Sequence, residues 1–254
     1  MLASLYHFGL LVLLLAFFAW RIMHGQSQIE AFKSLTESRD RQRAFITMTV
    51  QNFVIFGVGG VAVLAVIGRI DGLWLLPAEF LSVPLGTIEP NVSPTLSRLA
   101  GVLTGMTLGA LGIFVIWRFV LRRKTQPVIG DVDHLFPRNR REALALVPLS
   151  INAGISEEIM FRLALPLVAT LATGSAATGF AIAAVTFGLM HWYQGWTGVI
   201  LTGLISYFFF ALYVQTGNLL VPIIIHAALD LLVVVVRPSI SLWLDRERVP
   251  ARDA

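Results

Sequence analysis

Apolar residues fall in long runs along this chain, separated by short polar stretches. The runs cover about Leu2 to Trp20, Ala44 to Ile67, Leu99 to Trp117, Ala143 to Ala172, Ala176 to His191, Gly198 to Val214 and Leu219 to Val236. Several approach the ~20 residues that cross ~30 Å of hydrocarbon as a helix, and none shows the alternation of ~10-residue barrel strands. The pattern predicts an all-α fold: a polytopic integral membrane helical bundle of seven transmembrane helices, or eight if the fourth is broken.

Composition points the same way. Of the 254 residues 56% are hydrophobic and only 13% charged, and the mean hydropathy is +0.77, outside the range of soluble domains. Cysteine is absent, which excludes disulfides, iron–sulfur clusters, thiolate zinc sites and cysteine nucleophiles. A pI near 10 could suggest nucleic acid. The basic residues, however, sit in short loops beside apolar runs, where membrane topology and anionic membrane lipid account for them; no nucleic-acid partner is expected.

No Lys or Arg precedes the first run and no A-x-A-like site follows it, so it is expected to stay as an anchor. The stretch from Arg21 to Arg43 holds five basic residues, that from Arg118 to Glu142 seven, and the tail from Arg237 four, together sixteen of nineteen. Positive-inside counting puts these segments in the cytoplasm and the N-terminus outside. Pro77, Pro84, Pro90 and Pro94 mark the connection after the second run as an irregular, re-entrant or surface-lying loop.

The first three runs contain no Asp, Glu, Lys or Arg, as suits scaffold helices. Between Ala143 and Val236 there are four such residues, Glu157, Glu158, Arg162 and Asp230, and His191 and His226 join them. A charge at the bilayer centre costs about 2.5 to 3.5 kcal/mol on insertion scales, so several together imply an enclosed, hydrated pocket. Glu158 and Arg162, four apart on a helix, share a face and can pair, a turn that serves packing alone equally well. Glu157 is turned roughly 100° away and left without that partner, which suits a general base acting on water.

Phe187 and His191 are also four apart, although a lone His near a helix end is most often a packing residue. His226 and Asp230 repeat the spacing within an apolar run, where Asp230 can accept a hydrogen bond from the imidazole and fix its tautomer. Pro222 frees a carbonyl and is expected to bend this helix toward the pocket. Asn152 and Gln194 are near, but a packing hydrogen bond suffices for each.

Glu157-Glu158-x-x-x-Arg162, Phe187-x-x-x-His191 and His226-x-x-x-Asp230, in that order on separate spans, resemble the three motifs of the CAAX protease and bacteriocin-processing family of intramembrane endopeptidases. The resemblance covers about Ala143 to Val236. It implies a glutamate-dependent peptidase whose site opens toward the cytoplasm. Glu157 would activate water with help from His191, His226 and Asp230 would stabilise the oxyanion, Glu158 and Arg162 would support the site, and Phe187 would shape it. The family often has Asn where this chain has Asp230; an ionised Asp cannot donate to an oxyanion, so Asp230 is either protonated or orients His226. On this reading the chain divides into scaffold helices and loops at 1–142, a catalytic helix core at 143–236 and a cytoplasmic tail at 237–254. Its compactness resembles the prokaryotic branch, which implies a bacterial plasma membrane and a peptide or membrane-protein substrate.

Zinc is the rival mechanism, because Glu157, His191, His226 and Asp230 are all N/O ligands, although H-E-x-x-H is missing. The metal-free version, with no cofactor, is expected. A proton-coupled transporter would also bury such groups, but it predicts an inverted repeat that the charge-free first half does not show. A non-catalytic scaffold or immunity protein of the same fold is the third reading. Depth poses a problem for all of them: Glu157 lies some 14 residues, ~21 Å, into its span and His191 near the cytoplasmic end of its own. Sharing a site requires the fourth helix to tilt, begin deeper, or break near Gly154 and Ser156.

Overall fold

The computed structural model describes residues 2–83 and 130–246, together with positions 104, 105, 112 and 116. Nearly all of the third expected span, residues 118–129 of the basic stretch after it, and Pro84, Pro90 and Pro94 lie outside the described residues.

Every regular element among the described residues is helical. Helix α1 is Leu2–Lys33. A rod follows from α2, Ser38–Asn52, through a π-helical segment, Phe53–Val58, into α3, Gly59–Val66. After the undescribed region come α4, Arg140–Glu158, a second π-helical segment, Ile159–Ala164, and α5, Leu165–Thr173. Then follow α6, Ala176–Met190, α7, Gly195–Thr216, and α8, Leu220–Asp230, which runs through a third π-helical segment, Leu231–Val236, into α9, Arg237–Arg246. Four helical stretches are long and apolar enough to cross a membrane: Leu5–Lys33, Ser38–Val66, Trp192–Thr216 and Leu220–Leu244. The fourth and fifth expected spans are present as helices but fall outside that measure, α4 through its polar content and α6 through its length.

The central element is the stretch from Met160 to Thr170, in which every residue is buried. It is apolar on all sides apart from Arg162 and Thr170, and a helix of that kind belongs in the middle of a bundle. Phe18 of α1, Phe56 of the first π segment and Phe161 pack ring against ring around it, and Phe187 of α6 closes on Phe161 at 5.2 Å. α4 lies between α2 and α8, α5 between α1 and α6, and α6 against α7. Glycine permits the close approach of α4 to α8: a Cβ on Gly154 would stand 2.7 Å from the backbone nitrogen of Ala227, so the two helices touch main chain to main chain.

Three sequence expectations change here. The stretch from Arg21 to Arg43 is no open loop: α1 continues to Lys33 and α2 begins at Ser38. Nothing between Arg21 and Lys33 stops a helix apart from one glycine, and 32 residues, about 48 Å at 1.5 Å per residue, carry α1 beyond the thickness of a bilayer. Arg41 from that stretch is fully buried, not a loop charge. Its Nε donates to Glu142 Oε2 at 3.0 Å, its Nη2 donates to the carbonyls of His134 and Phe136, and its guanidinium sits over the Phe32 ring. Pro222, third in α8, stands in the first turn, where its missing N–H has no helical acceptor to lose, and bends nothing.

The fourth helix does not break near Gly154. Ser156 is no cap but donates to Asn152 Oδ1 at 2.9 Å, and α4 runs unbroken into its π segment. Asn152 in turn donates to the Thr49 carbonyl, the helix-packing role expected of it. Glu157 and His191 nonetheless reach a common cavity without a break in α4, and α6, which leads to His191, has 15 residues, about 22 Å.

Candidate active site

Glu157 and Glu158 occupy the last turn of α4, and their side chains diverge as the helical step of about 100° requires. Glu158 turns into the protein and has no exposure. Its Oε1 stands 3.1 Å from Arg162 Nη2, as the four-residue spacing predicts. The same oxygen accepts from His226 Nδ1 at 2.7 Å. Arg162, also fully buried, lies with its guanidinium 4.5 Å from the centre of the Phe187 ring and 5.4 Å from that of Phe209, so π faces supply contact that a single carboxylate does not.

His226 is sandwiched. Its ring stacks on Phe209 at 5.1 Å and 15°, and the Phe187 ring stands edge-on at 6.3 Å. With Nδ1 held by Glu158, Nε2 points the other way, 4.0 Å from Glu157 Oε2 and 3.9 Å from Asp230 Oδ2. Asp230 therefore does not fix the tautomer, because 3.9 Å is too long for a hydrogen bond. Glu158 does so across two helices, a contact that spacing within one helix cannot reveal.

His191 caps α6. Its Nδ1 is 2.8 Å from the Phe187 carbonyl; a carbonyl only accepts, so the proton is on Nδ1 and Nε2 is left as an acceptor when the ring is neutral. Phe187 lies between the two histidines, 4.6 Å from the His191 ring. Glu157 is not unpartnered as expected: Asn52 Nδ2 donates to its Oε1 at 3.0 Å. The Oδ1 of Asn52 is buried with no partner.

These groups face one cavity of about 290 Å³. Glu157 from α4, His191 from the end of α6, and His226 and Asp230 from α8 all line it, with Leu146, Leu149 and Ala153 forming a stripe that leads along α4 toward Glu157. Arg21 and Gln28 of α1 and Gln51 and Asn52 of α2 complete the wall. The first helices thus contribute polar groups to the site, beyond the scaffold role their lack of acids and Lys suggested. Gln194 lies outside the lining; its amide donates to Tyr193 Oη and its carbonyl accepts from Asp131 N–H.

The three π-helical segments begin immediately after Asn52, Glu158 and Asp230. Widened turns of this type occur mostly as local insertions at functional sites, and here each one adjoins a polar residue of the cavity or its support. Among the described residues no group of three or more His, Asp or Glu side chains is arranged to hold a metal ion.

Residues 139–232 match a family model described as type II CAAX prenyl endopeptidase Rce1-like. This segment is Rce1-like. The match bears out the resemblance read from the three motifs and contains all seven residues named for it. The family this segment resembles is a protease family, whose substrates are peptides, and the apolar helices fit an integral membrane protein. α1 to α3 lie outside the Rce1-like segment. No curated protein and no solved structure matches the chain.

Proposed function

We propose that the chain is an intramembrane, glutamate-dependent endopeptidase that hydrolyses a peptide bond in a membrane-associated peptide or protein. The observation that carries this reading is that Glu157, His191, His226 and Asp230, from three separated helices, line one cavity. Glu157 takes a proton from water as its oxygen attacks the carbonyl carbon, and His191 Nε2 accepts the water's second hydrogen bond. His226, protonated and held through Nδ1 by Glu158, donates from Nε2 to the oxyanion, and protonated Asp230 adds a second donor. The proton on Glu157 then passes to the leaving nitrogen as the C–N bond breaks. No metal takes part in this scheme.

The bundle has seven spans, with the N-terminus outside and the C-terminus in the cytoplasm of a bacterial plasma membrane. Residues 143–236 form its catalytic core. A proteomic comparison of membranes holding the wild-type and Glu157→Gln proteins tests the function. The wild type yields at least one cleaved polypeptide that the variant does not. Identical proteomes with both proteins folded would leave the non-catalytic scaffold as the better reading.

A further inference from the structure

α1 presents Arg21, Gly25 and Gln28, at intervals of four and three, to the same cavity as Glu157 and His191. Gly25 leaves room, because a Cβ built there meets nothing within 4 Å. Arg21 lies in a helix long and apolar enough to cross the membrane, yet among the described residues no carboxylate pairs with it. Its Nη1 has a long contact of 3.4 Å to Gln28 Oε1, and its Nε is buried with no partner at all. Arg21 is half-buried and its Nε lacks a partner, and the edge formed by Nε and one Nη is the fork that holds both oxygens of a carboxylate. The carboxyl groups on the cavity wall, Glu157 and Asp230, stand on α4 and α8, with the His191 and His226 rings beside them, and Arg21 is the basic group on the α1 side. An anionic group entering this space is therefore drawn to α1.

We propose that Arg21 anchors a carboxylate of the peptide substrate, so that the site selects peptides with an anionic group near the bond to be cut. This rests on the peptidase reading of the cavity. About 290 Å³ is at the small end of ligand pockets and takes only a few residues of an extended peptide, which places the anchored group close to the reacting carbonyl. The carboxylate is supplied by the substrate's C-terminus or by an Asp or Glu side chain; the fork treats the two alike.

The test uses the full-length protein in phosphatidylcholine nanodiscs and one short apolar fluorescent peptide in three forms: a C-terminal acid, a C-terminal amide, and the amide with one internal Asp. Anisotropy reads binding and mass spectrometry reads cleavage. The acid form, the Asp form or both bind the wild type on the order of tenfold tighter than the plain amide, and salt reduces the preference. Whichever form is preferred identifies the source. In Arg21→Gln the preference disappears, and in Arg21→Lys, which keeps the charge but not the fork, part of it returns. A wild type without preference, or a preference that persists in Arg21→Gln, overturns the proposal. So does a result in which Arg21→Gln changes only the retention of added phosphatidylglycerol, which would make the anion a lipid phosphate. Should Arg21→Gln not fold, the ratio in the wild type and its salt dependence still decide. Arg21-dependent binding without Glu157-dependent cleavage would sink the peptidase reading and leave the anchor standing.

Discussion

Glu158 Oε1 stands 2.7 Å from His226 Nδ1 and 3.1 Å from Arg162 Nη2, so one buried oxygen ties α4, the π segment behind it and α8 together. This contact sets which nitrogen of His226 faces the cavity. Replacing Glu158 with Gln leaves Arg162 buried without a counter-charge, a loss of about 3 to 5 kcal/mol for one broken partner of a buried pair. Glu158→Gln should therefore both lower the unfolding midpoint in detergent and abolish Glu157-dependent cleavage. Full activity in a folded variant would show that His226 needs no such support.

Asn52 acts on the other carboxylate. Its amide donates to Glu157 Oε1, which turns Oε2 toward His226. Asn52→Ala removes one hydrogen bond to a charged group, worth about 1.5 to 3 kcal/mol, and should slow cleavage by roughly ten- to a hundredfold with little effect on folding. Asn52→Asp should be worse, because it puts a second acid against Glu157. Cleavage rates of the two variants, with size-exclusion profiles as the folding control, check the order.

The main-chain contact at Gly154 sets the spacing between α4 and α8, and with it the Glu158 to His226 distance. A methyl group there meets the backbone and Cβ of Ala227, none of which is the far end of a flexible side chain. Gly154→Ala should cost about 1 to 3 kcal/mol of stability through overpacking, and Gly154→Leu should prevent stable folding. Thermal melts of the purified variants measure this; an unchanged melt for Gly154→Ala would mean that the helices part without strain.

Sequence reading located this site because charge is rare in apolar spans. Glu157, Glu158, Arg162 and Asp230 stood out as the only ionised residues between Ala143 and Val236, and the four-residue spacings tied Glu158 to Arg162 and Phe187 to His191. What it missed involves contacts between helices. Asn52 follows Gln51 in an otherwise apolar span, where nothing in its spacing singles it out, and Arg21 opens a basic stretch, which reads as topology. Spacing joined Asp230 to His226, whereas the fold hydrogen-bonds His226 through Nδ1 to Glu158, sixty-eight residues away in sequence, and leaves Asp230 3.9 Å from Nε2. The π segments have no sequence signal of their own, because apolar residues serve either helix equally well. Length also misled: α1 outruns its apolar stretch, and α6 has only 15 residues.

The metal-free scheme has a direct check. Cleavage should survive strong chelators and stop in Glu157→Gln. Loss of activity on chelation, restored by added zinc, would instead assign Glu157, His191, His226 and Asp230 as ligands.

At the end of the bundle where α4 begins, Glu142 gives the fold its own acid sensitivity. Burial of its carboxylate opposes ionisation, but the N–H of Arg138, the Ser38 hydroxyl and the Arg41 guanidinium outweigh burial and hold Glu142 below the usual carboxylate range. A carboxyl that is more acidic in the folded than in the unfolded chain stabilises the fold above its unfolded value, near 4.3, and that contribution is lost as pH falls through the lower folded value. The folded protein in detergent should thus lose stability progressively as pH drops below about 4.3. Glu142→Gln should be less stable at neutral pH by about 3 to 5 kcal/mol, since Arg41 remains buried, and should show a weaker fall with acid. Melting curves of both proteins from neutral pH downward test the sign. A variant that keeps the whole acid-dependent fall would move its origin to another carboxylate, such as Glu79, which is also held low, by its pairing with Arg69.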